Sequence, residues 1–376
     1  MPRTVDFAIE PSGNVICFCG GALTMAVWTN WPTDILDTIR GGTVIPAHLL
    51  ALDSSRKLDV RRQRALSRYY IDAGAGGLAV GVHSTQFAIR EAGLYENVLR
   101  LAAEAAENWS KRPLVLIAGI VGQTTQARQE AAVAANLGYH AGLLSLAAMK
   151  GASDDELIAH CRAVADVIPL VGFYLQTAVG GIPLSADFWR RFAEIEQVVA
   201  IKIAPFDRYR TLDVIRGVVA ASAEDRVTLY TGNDDNIVLD LVTPFVVPRD
   251  GTEARVRIKG GLLGHWSVWT KGAADMFARI RGAIEAGPIS DDVLALAAKV
   301  TDCNAAFFDV ANNFRGCIAG CHEVLRRQGL LEGIWCLDPD EGLSLGQAEA
   351  IERVMRVYPE LGDDAFVAAN RERWLS

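Results

Sequence analysis

Short apolar runs alternate with longer amphipathic stretches along most of the chain. Apolar runs of this length are typical of strands buried on both faces, and they predict eight strands at 43–47, 77–81, 114–118, 141–145, 170–175, 198–205, 226–230 and 256–262. Helical periodicity predicts a helix after each strand, at 58–73, 94–109, 124–137, 154–167, 185–196, 211–221, 235–241 and 266–286. Asp59 near the start of the first helix and Gly74 past its end are typical capping residues.

Repeated strand–helix units of this kind predict an α/β fold, the closed parallel (β/α)8 or TIM barrel. A doubly wound sheet is the alternative, but no G-x-G-x-x-G motif follows the first strand. We expect three regions: an irregular N-terminal extension at 1–40, the barrel at 41–287 and a C-terminal helical region at 288–376.

Three segments depart from the regular alternation. Residues 1–40 have no clear period and are rich in Gly, Pro and Trp, which suggests an extension over a barrel end or a subunit contact. Residues 244–254 are predicted to be an insertion. The C-terminal region has helical patterns near 291–310, 318–328 and 344–357, and Ser344 is the predicted N-cap of the last one.

The composition is that of a globular protein, with 51% hydrophobic and 22% charged residues among 376. The net charge is −8 and the chain has no long basic cluster, so we expect no nucleic-acid partner. No apolar run reaches membrane-spanning length, so we expect no membrane partner either. These features favour a cytoplasmic enzyme that acts on a small molecule.

The seven cysteines are odd in number and irregularly spaced, which favours reduced thiols in a cytosolic protein. Cys317, Cys321 and His322 have a spacing that suits adjacent turns of one helix. No second pair of ligands follows them, so packing in the core is the favoured interpretation and no metal is expected.

Lys202 is the first candidate for chemistry, because it is the single charge in the apolar run at 198–205. Burial disfavours the ammonium form and lowers a lysine pKa. A neutral amine at the end of a barrel strand can attack a keto substrate and form a Schiff base. A lysine on an edge strand, where it discourages aggregation, is the alternative interpretation.

Other polar residues follow neighbouring strands of the predicted barrel, where active sites of this fold lie. They are His83, Ser84 and Thr85 after the second strand, Tyr174 in the fifth, and Gly232, Asn233 and Asp234 after the seventh. An imine-forming lysine needs a proton shuttle and donors for a substrate carboxylate, and a tyrosine and hydroxyl groups can supply them. Each residue also has a structural interpretation: Tyr174 as a core aromatic, His83 as a loop residue bonded to backbone, and Asn233 as a helix cap.

At this point the chain resembles a known family, the dihydrodipicolinate synthase / N-acetylneuraminate lyase superfamily of class I aldolases. The resemblance covers roughly residues 40–360 and rests first on Lys202 after Ala200-Ile201 and on Tyr174 after Gly172-Phe173. It is supported by Gly81-Val82-His83-Ser84-Thr85-Gln86, Tyr230-Thr231-Gly232-Asn233-Asp234 and Gly260-Gly261-Leu262-Leu263-Gly264, which are similar to the family's turns after the second, seventh and eighth strands.

The resemblance implies a TIM barrel in which Lys202 forms a Schiff base with pyruvate or another 2-keto acid. Tyr174 would relay protons, and His83, Ser84 and Thr85 would hold the substrate carboxylate. Gly232 and Asn233 are further candidates for substrate binding. No cofactor is expected, and we expect a homo-oligomer, either a dimer or a tetramer.

Two departures from the family's pattern bear on the substrate. Family members that make dihydrodipicolinate usually have an arginine five residues after the tyrosine, where this chain has Val179. Their paired tyrosines after the fourth strand are replaced by residues 146–149, Leu-Ala-Ala-Met. We therefore expect an aldolase or dehydratase that acts on pyruvate or a 2-keto-3-deoxy acid.

Three alternatives remain at this point. The first is dihydrodipicolinate synthase proper, with another basic residue, such as Lys150 or Arg208, in place of the arginine. The second is a barrel that binds a keto acid without catalysis. The third, a metal-dependent aldolase, ranks low because His83 and Asp234 alone do not make a metal site.

Overall fold

The computed structural model describes residues 26–376 and, nearer the N-terminus, the backbone of two antiparallel strands, β1 (Phe7–Ile9) and β2 (Val15–Cys17). Eight parallel strands form the central sheet: β3 (Val44–Pro46), β4 (Gly77–Val80), β5 (Val115–Ile120), β6 (Ala141–Leu144), β7 (Leu170–Leu175), β8 (Val198–Ala204), β9 (Thr228–Thr231) and β12 (Gly260–Leu263). A hairpin of β10 (Phe245–Arg249) and β11 (Thr252–Val256) separates the last two.

The sheet closes on itself. Its strand order is β3-β12-β9-β8-β7-β6-β5-β4, and a parallel bridge between Ala47 and Ala79 joins the two ends. The His48 amide adds a hydrogen bond of 2.8 Å to the Ala79 carbonyl across this seam. The TIM barrel predicted from the sequence is confirmed, and the doubly wound sheet is excluded.

A helix follows each barrel strand. These helices are α2 (Val60–Ala73), α3 (Tyr95–Trp109), α4 (Thr124–Asn136), α5 (Asp154–Ala165), α6 (Ala186–Ala193), α7 (Arg208–Ala220), α8 (Ile237–Val242) and α9 (Thr270–Ala286). Asp59 caps α2 by accepting a hydrogen bond of 3.0 Å from the Arg62 amide, and Gly74 ends it at a φ of 104°, as predicted.

Strand β8 is buried along its whole length, which explains why its sequence is a continuous apolar run. Because side chains alternate across a strand, two separate sets of core residues result. One set, with Ala200 and Ala204, packs in the barrel interior. The other, with Ile201 and Ile203, packs against the outer helices.

Five α-helices of the described residues lie outside the eight strand–helix units. They are α1 (Thr33–Gly41), α10 (Asp291–Phe307), α11 (Cys317–Arg327), α12 (Gln347–Val357) and α13 (Asp364–Leu375). Helix α1 falls in a stretch where the sequence shows no clear period, and its Ile35 and Ile39 join the interior core. The expectations for residues 1–25 lie outside the described residues, apart from the backbone of β1 and β2. The domain boundaries after residues 40 and 287 stay a prediction.

The structure corrects three local predictions. The insertion is the β10–β11 hairpin, and it includes Val256, which was assigned to the eighth strand. Helix α12 starts after Gly346, whereas the Ser344 hydroxyl donates to the Asp309 carboxylate at 2.5 Å, so Ser344 is not its cap. Helix α13 was missed because its apolar residues do not repeat at helical spacing, although Trp374 is buried.

None of the helices in the described part of the chain is long and apolar enough to cross a membrane. The cysteines whose side chains the structure describes, Cys161, Cys303, Cys317, Cys321 and Cys336, are free thiols and buried.

Candidate active site

Lys202 lies in β8 with its side chain in the barrel interior, and only 7% of the residue is exposed. The neighbouring strand places Phe173 at the paired position. The Lys202 Nζ atom lies 4.5 Å from the centroid of the Phe173 ring. Lys202 is therefore an interior residue of the barrel and not an edge-strand lysine.

The electrostatic environment lowers the pKa of Lys202 to about 8. Burial is the main cause, because it penalises the ammonium form, and the charge of Asp234 acts in the opposite direction. The face of an aromatic ring also favours a cation. Burial outweighs both effects, so the amine loses its proton more easily than an exposed lysine.

Asp234 is the second ionisable group of the site. From the sequence it was expected in the turn after a strand, with no role in the Schiff-base chemistry. It follows β9, is 4% exposed, and its Oδ1 atom has no hydrogen-bond partner. Burial raises its pKa to about 7, while Lys202 and a hydrogen bond from the His265 backbone act in the opposite direction. The signal in the sequence was its place beside Gly232 and Asn233, in the same turn.

A cavity of about 50 Å³ opens beside Lys202. A single buried water needs roughly 10–15 Å³, so the cavity has room for a few waters or for a three-carbon keto acid. Its polar lining residues are His83, Ser84, Gln176, Lys202 and Asp234. Its apolar lining includes Ala47, Val82, Phe173, Leu175, Val179, Ala204, Phe206, Phe308 and Phe314.

The turn after β4 contributes two of its three predicted residues to the cavity. His83 and Ser84 line it, and burial together with the charge of Lys202 lowers the pKa of His83 to about 4. The Thr85 hydroxyl instead donates to the His48 carbonyl at 2.6 Å and accepts from the Gly81 amide at 3.0 Å. Thr85 therefore holds the turn in place and does not face the cavity.

The two residues predicted in the turn after β9 also have different surroundings. Gly232 lines the cavity, and a Cβ atom there would lie 2.7 Å from Cε of Lys202 and 2.8 Å from Cβ of Ala204, so a larger residue would displace the lysine side chain from this position. Asn233 is completely buried outside the cavity: its amide nitrogen donates to Asp240 at 3.0 Å, and its oxygen accepts from the Phe206 amide at 2.9 Å. Asn233 therefore contacts the protein and does not line the cavity.

The structure does not bring Tyr174 to Lys202. Tyr174 is paired with Ile203 and belongs to the outer core. Its hydroxyl accepts hydrogen bonds from the Leu184 amide at 3.1 Å and from Arg210 at 2.9 Å. The alternation of a strand places adjacent residues on opposite faces, so Phe173 faces the lysine and Tyr174 faces the helices. The expectation that Tyr174 lies beside Lys202 is therefore not met.

The two departures from the family's pattern have different surroundings. Val179 lines the cavity, on the short helical turn Thr177–Val179 after β7. Leu146 is buried in the outer core, next to the turn Ala147–Met149. Lys150, which follows this turn, is exposed, and Arg208 is paired with Asp240.

Within residues 26–376, no group of three or more His, Cys, Asp or Glu side chains is arranged to hold a metal ion. Cys317, Cys321 and His322 all lie in α11, and only Cys317 contributes to the cavity. Cys321 and His322 are buried in the core.

Comparisons with known proteins agree with the resemblance seen in the sequence. N-acetylneuraminate lyase of Citrobacter koseri is 29% identical over 195 residues, which are 51% of this chain and 62% of the relative. The enzyme of the same name from Salmonella typhimurium is 28% identical over the same length. The chain thus matches less than two thirds of the length of these relatives.

Solved structures share the fold. Dihydrodipicolinate synthase of Acinetobacter baumannii, complexed with pyruvate, superimposes with a TM-score of 0.69 over 85% of this chain and 98% of its own, at 19% identity. CdNal of Clostridium difficile, in complex with mannosamine, gives 0.68 over 84% of this chain and 99% of its own, at 15% identity.

The sequence profile of the dihydrodipicolinate synthetase family matches residues 41–244, more than half of the 376-residue chain. This segment runs from before β3 to just before β10 and includes Lys202, Phe173 and Asp234. The chain belongs to the dihydrodipicolinate synthetase family.

Proposed function

We propose that this protein is a Schiff-base-forming lyase, an aldolase or dehydratase, that acts on pyruvate or a 2-keto-3-deoxy acid through Lys202. The observation that carries the proposal is the buried amine of Lys202, which faces a cavity large enough for a three-carbon keto acid. The complex of the Acinetobacter baumannii relative with pyruvate supports this choice of ligand.

Lys202 is suited to attack a carbonyl carbon because its pKa is lowered to about 8. At pH 7 about a tenth of the amine is neutral, compared with less than about 0.1% for an ordinary lysine. The neutral amine adds to C2 of the keto acid, and the oxygen leaves as water once it has gained two protons. The resulting protonated imine withdraws electrons from the C3–C4 bond or from a C3–H bond.

Asp234 is the group that can move protons at this site. Its unpartnered Oδ1 atom and a pKa of about 7 allow it to exist in both protonation states near neutral pH. In the acid form it would protonate the leaving oxygen of the first adduct, and in the carboxylate form it would accept a proton from C3 or from a substrate hydroxyl. It would therefore replace the tyrosine that the resemblance implied.

The substrate carboxylate would be held by the turn after β4. The amides of Thr85 and Gln86 donate within the turn, which leaves the amides of His83 and Ser84 and the Ser84 hydroxyl for the ligand. Charge-assisted hydrogen bonds of this type are worth roughly 1.5–3 kcal/mol each. A fixed carboxylate would orient C2 toward the amine.

Synthesis of dihydrodipicolinate is less well supported. Its second substrate, aspartate semialdehyde, carries a further carboxylate, and Val179 offers no donor to it. A buried carboxylate without a partner is unfavourable by several kcal/mol. Cleavage or dehydration of a keto acid with a single carboxylate suits the cavity better.

An activity screen over 2-keto-3-deoxy acids tests the proposal. Cleavage releases pyruvate, which lactate dehydrogenase reports as NADH oxidation, and dehydration lowers the mass of the substrate by one water. We expect one of these reactions with the wild type and neither with Lys202→Ala. Keto acids that bind without any turnover would identify a binding protein and refute the lyase.

A further inference from the structure

This inference rests on the proposed function and concerns the rest of the substrate. We propose that the keto acid carries an apolar group, preferably an aromatic ring, beyond its reacting carbons. Phe206 and Phe314 select this group. We call the surface formed by Phe206, Phe308, Phe314 and Val179 the aromatic mouth. All four side chains line the cavity and are partly exposed.

The rings of the aromatic mouth come from two distant parts of the chain. Phe206 follows β8, just after the lysine strand, whereas Phe308 and Phe314 lie between α10 and α11. The rings of Phe206 and Phe314 contact each other edge to face, with centroids 5.6 Å apart. The C-terminal helical region thus supplies part of the substrate cavity.

Phe206 is held in place by its backbone. It has a φ of 53°, a left-handed conformation that is unfavourable for a bulky residue. The hydrogen bond of 2.9 Å from its amide to Asn233 supports this conformation. Asn233 thereby positions a wall of the cavity although it does not line the cavity itself.

Phe314 is held in a similar way, with a φ of 66° and a hydrogen bond of 3.0 Å from its amide to the Asp309 carbonyl. The Asp309 carboxylate accepts from the Gly316 amide at 3.0 Å and from Ser344 at 2.5 Å. Strained residues persist only where their surroundings fix them. The surroundings therefore fix the backbone from which each ring extends into the aromatic mouth.

The cavity offers few polar groups beyond those that the keto-acid end needs. The Gln176 amide group donates to the Pro205 carbonyl at 3.0 Å and accepts from the Ala178 amide at 3.2 Å, so the backbone of the turns after β7 and β8 already uses it. Lys202, Asp234 and the His83–Ser84 turn are assigned to the reacting end. Hydroxyl groups or a second carboxylate in the aromatic mouth would lose hydrogen bonds with water and gain none.

The size of the cavity leads to the same conclusion. The cavity is only about 50 Å³ in volume and is lined by both Lys202 and the aromatic mouth, so a group that extends from a keto acid at Lys202 lies against those rings. An aryl group gains contact area and edge-to-face packing there. A polyhydroxylated chain gains neither.

Competitive trapping tests the inference. The protein is incubated with an equimolar mixture of ¹³C-labelled pyruvate, 2-oxo-4-phenylbutanoate, 2-keto-3-deoxygluconate and 2-oxoglutarate, and imines are reduced with borohydride. An unlabelled pyruvate adduct, which cleavage of bound 2-keto-3-deoxygluconate leaves on the lysine, is counted with that acid. Mass spectrometry then measures each adduct on the Lys202 peptide, relative to the pyruvate adduct of the same sample. We expect the phenyl acid to exceed the two polar acids by about 10-fold or more.

Two variants test whether the rings of Phe206 and Phe314 cause this preference. Phe206→Asn and Phe314→Asn replace a ring by an amide, and asparagine tolerates the left-handed backbone of both positions. Each should lower the ratio of phenyl acid to 2-keto-3-deoxygluconate by about 10-fold. Phe245→Asn, in the β10–β11 hairpin away from the cavity, is the matched control and should keep the wild-type ratio.

The outcomes separate the two proposals. Trapping of pyruvate together with equal or stronger trapping of the polar acids would overturn the aromatic selection and leave the Schiff-base function intact. An unchanged ratio in both ring variants would also overturn it. A failure to trap any keto acid on Lys202, pyruvate included, would refute the proposed function and this inference with it.

Discussion

Phe173 and Lys202 occupy paired positions on adjacent barrel strands, and the lysine nitrogen lies 4.5 Å from the centre of the phenylalanine ring. The pair fixes which residues of β7 face the barrel interior. Since Phe173 faces inward, Tyr174 must face outward. The ring carries no ionisable group, so proton transfer in the proposed reaction depends on Asp234, the only acidic residue that lines the described cavity.

Replacement of Tyr174 by phenylalanine should affect stability more than catalysis. Tyr174→Phe removes the hydrogen bonds to Leu184 and Arg210 from a buried site, which costs about 1–3 kcal/mol. We expect a lower melting temperature and a kcat close to that of the wild type. Thermal denaturation and steady-state kinetics measure the two effects. A large loss of kcat in a variant of normal stability would restore Tyr174 as a proton shuttle.

Asp234→Asn should lower kcat by about 10²–10⁴-fold, the range for loss of a general acid–base group. The amide keeps the shape of the side chain, so the fold should persist. Asp235→Asn is the matched control, because Asp235 is the next residue and is exposed. Equal kcat in the two variants would contradict the role of Asp234.

The pH dependence of imine formation should reflect the charge interaction between Lys202 and Asp234. The neutral amine is the nucleophile and the acid form of Asp234 protonates the leaving oxygen, so the trapping rate with pyruvate should rise with pH, reach a maximum between about pH 7 and pH 8, and fall at higher pH. His83 stays neutral through this range, because its pKa is lowered to about 4. Asp234 raises the pKa of Lys202, so Asp234→Asn should move this rise to lower pH. A shift to higher pH would show that the pair does not interact in this way.

Substitutions in the turn after β4 should affect either pyruvate binding or the stability of the protein, depending on the residue. Ser84→Ala removes a hydroxyl that lines the cavity and should weaken pyruvate binding by about 10–100-fold, with little change in melting temperature. Thr85→Val removes the hydrogen bonds to His48 and Gly81 and should lower the melting temperature. Calorimetric titration with pyruvate and thermal denaturation measure these effects. Unchanged affinity in Ser84→Ala would mean that the carboxylate binds elsewhere.

The barrel could be predicted from the sequence because its strands are buried on both faces and form continuous apolar runs. Lys202 was detectable for the same reason, as a single charge in such a run. Because the strands are buried on both faces, the sequence does not show which residues face the barrel interior. Phe173 and Tyr174 are both buried aromatic residues, and a shift of one position exchanges their faces.

The remaining parts of the site depend on contacts between distant segments. Asn233 and Asp234 are adjacent polar residues, and only the folded turn places one against Phe206 and the other in the cavity. Phe308 and Phe314 lie more than 100 residues beyond Lys202, and no local pattern links them to it.

Reductive trapping with pyruvate tests the central claim most directly. The protein is treated with ¹³C-labelled pyruvate and borohydride, digested, and its peptides are assigned by mass spectrometry. We predict one reduced pyruvate per chain, on the peptide that contains Lys202, and none in Lys202→Arg, because a guanidinium stays protonated and cannot attack. Lys150→Arg, which changes an exposed lysine, should label like the wild type. Labelling that persists in Lys202→Arg, or its absence from the wild type, would contradict the account.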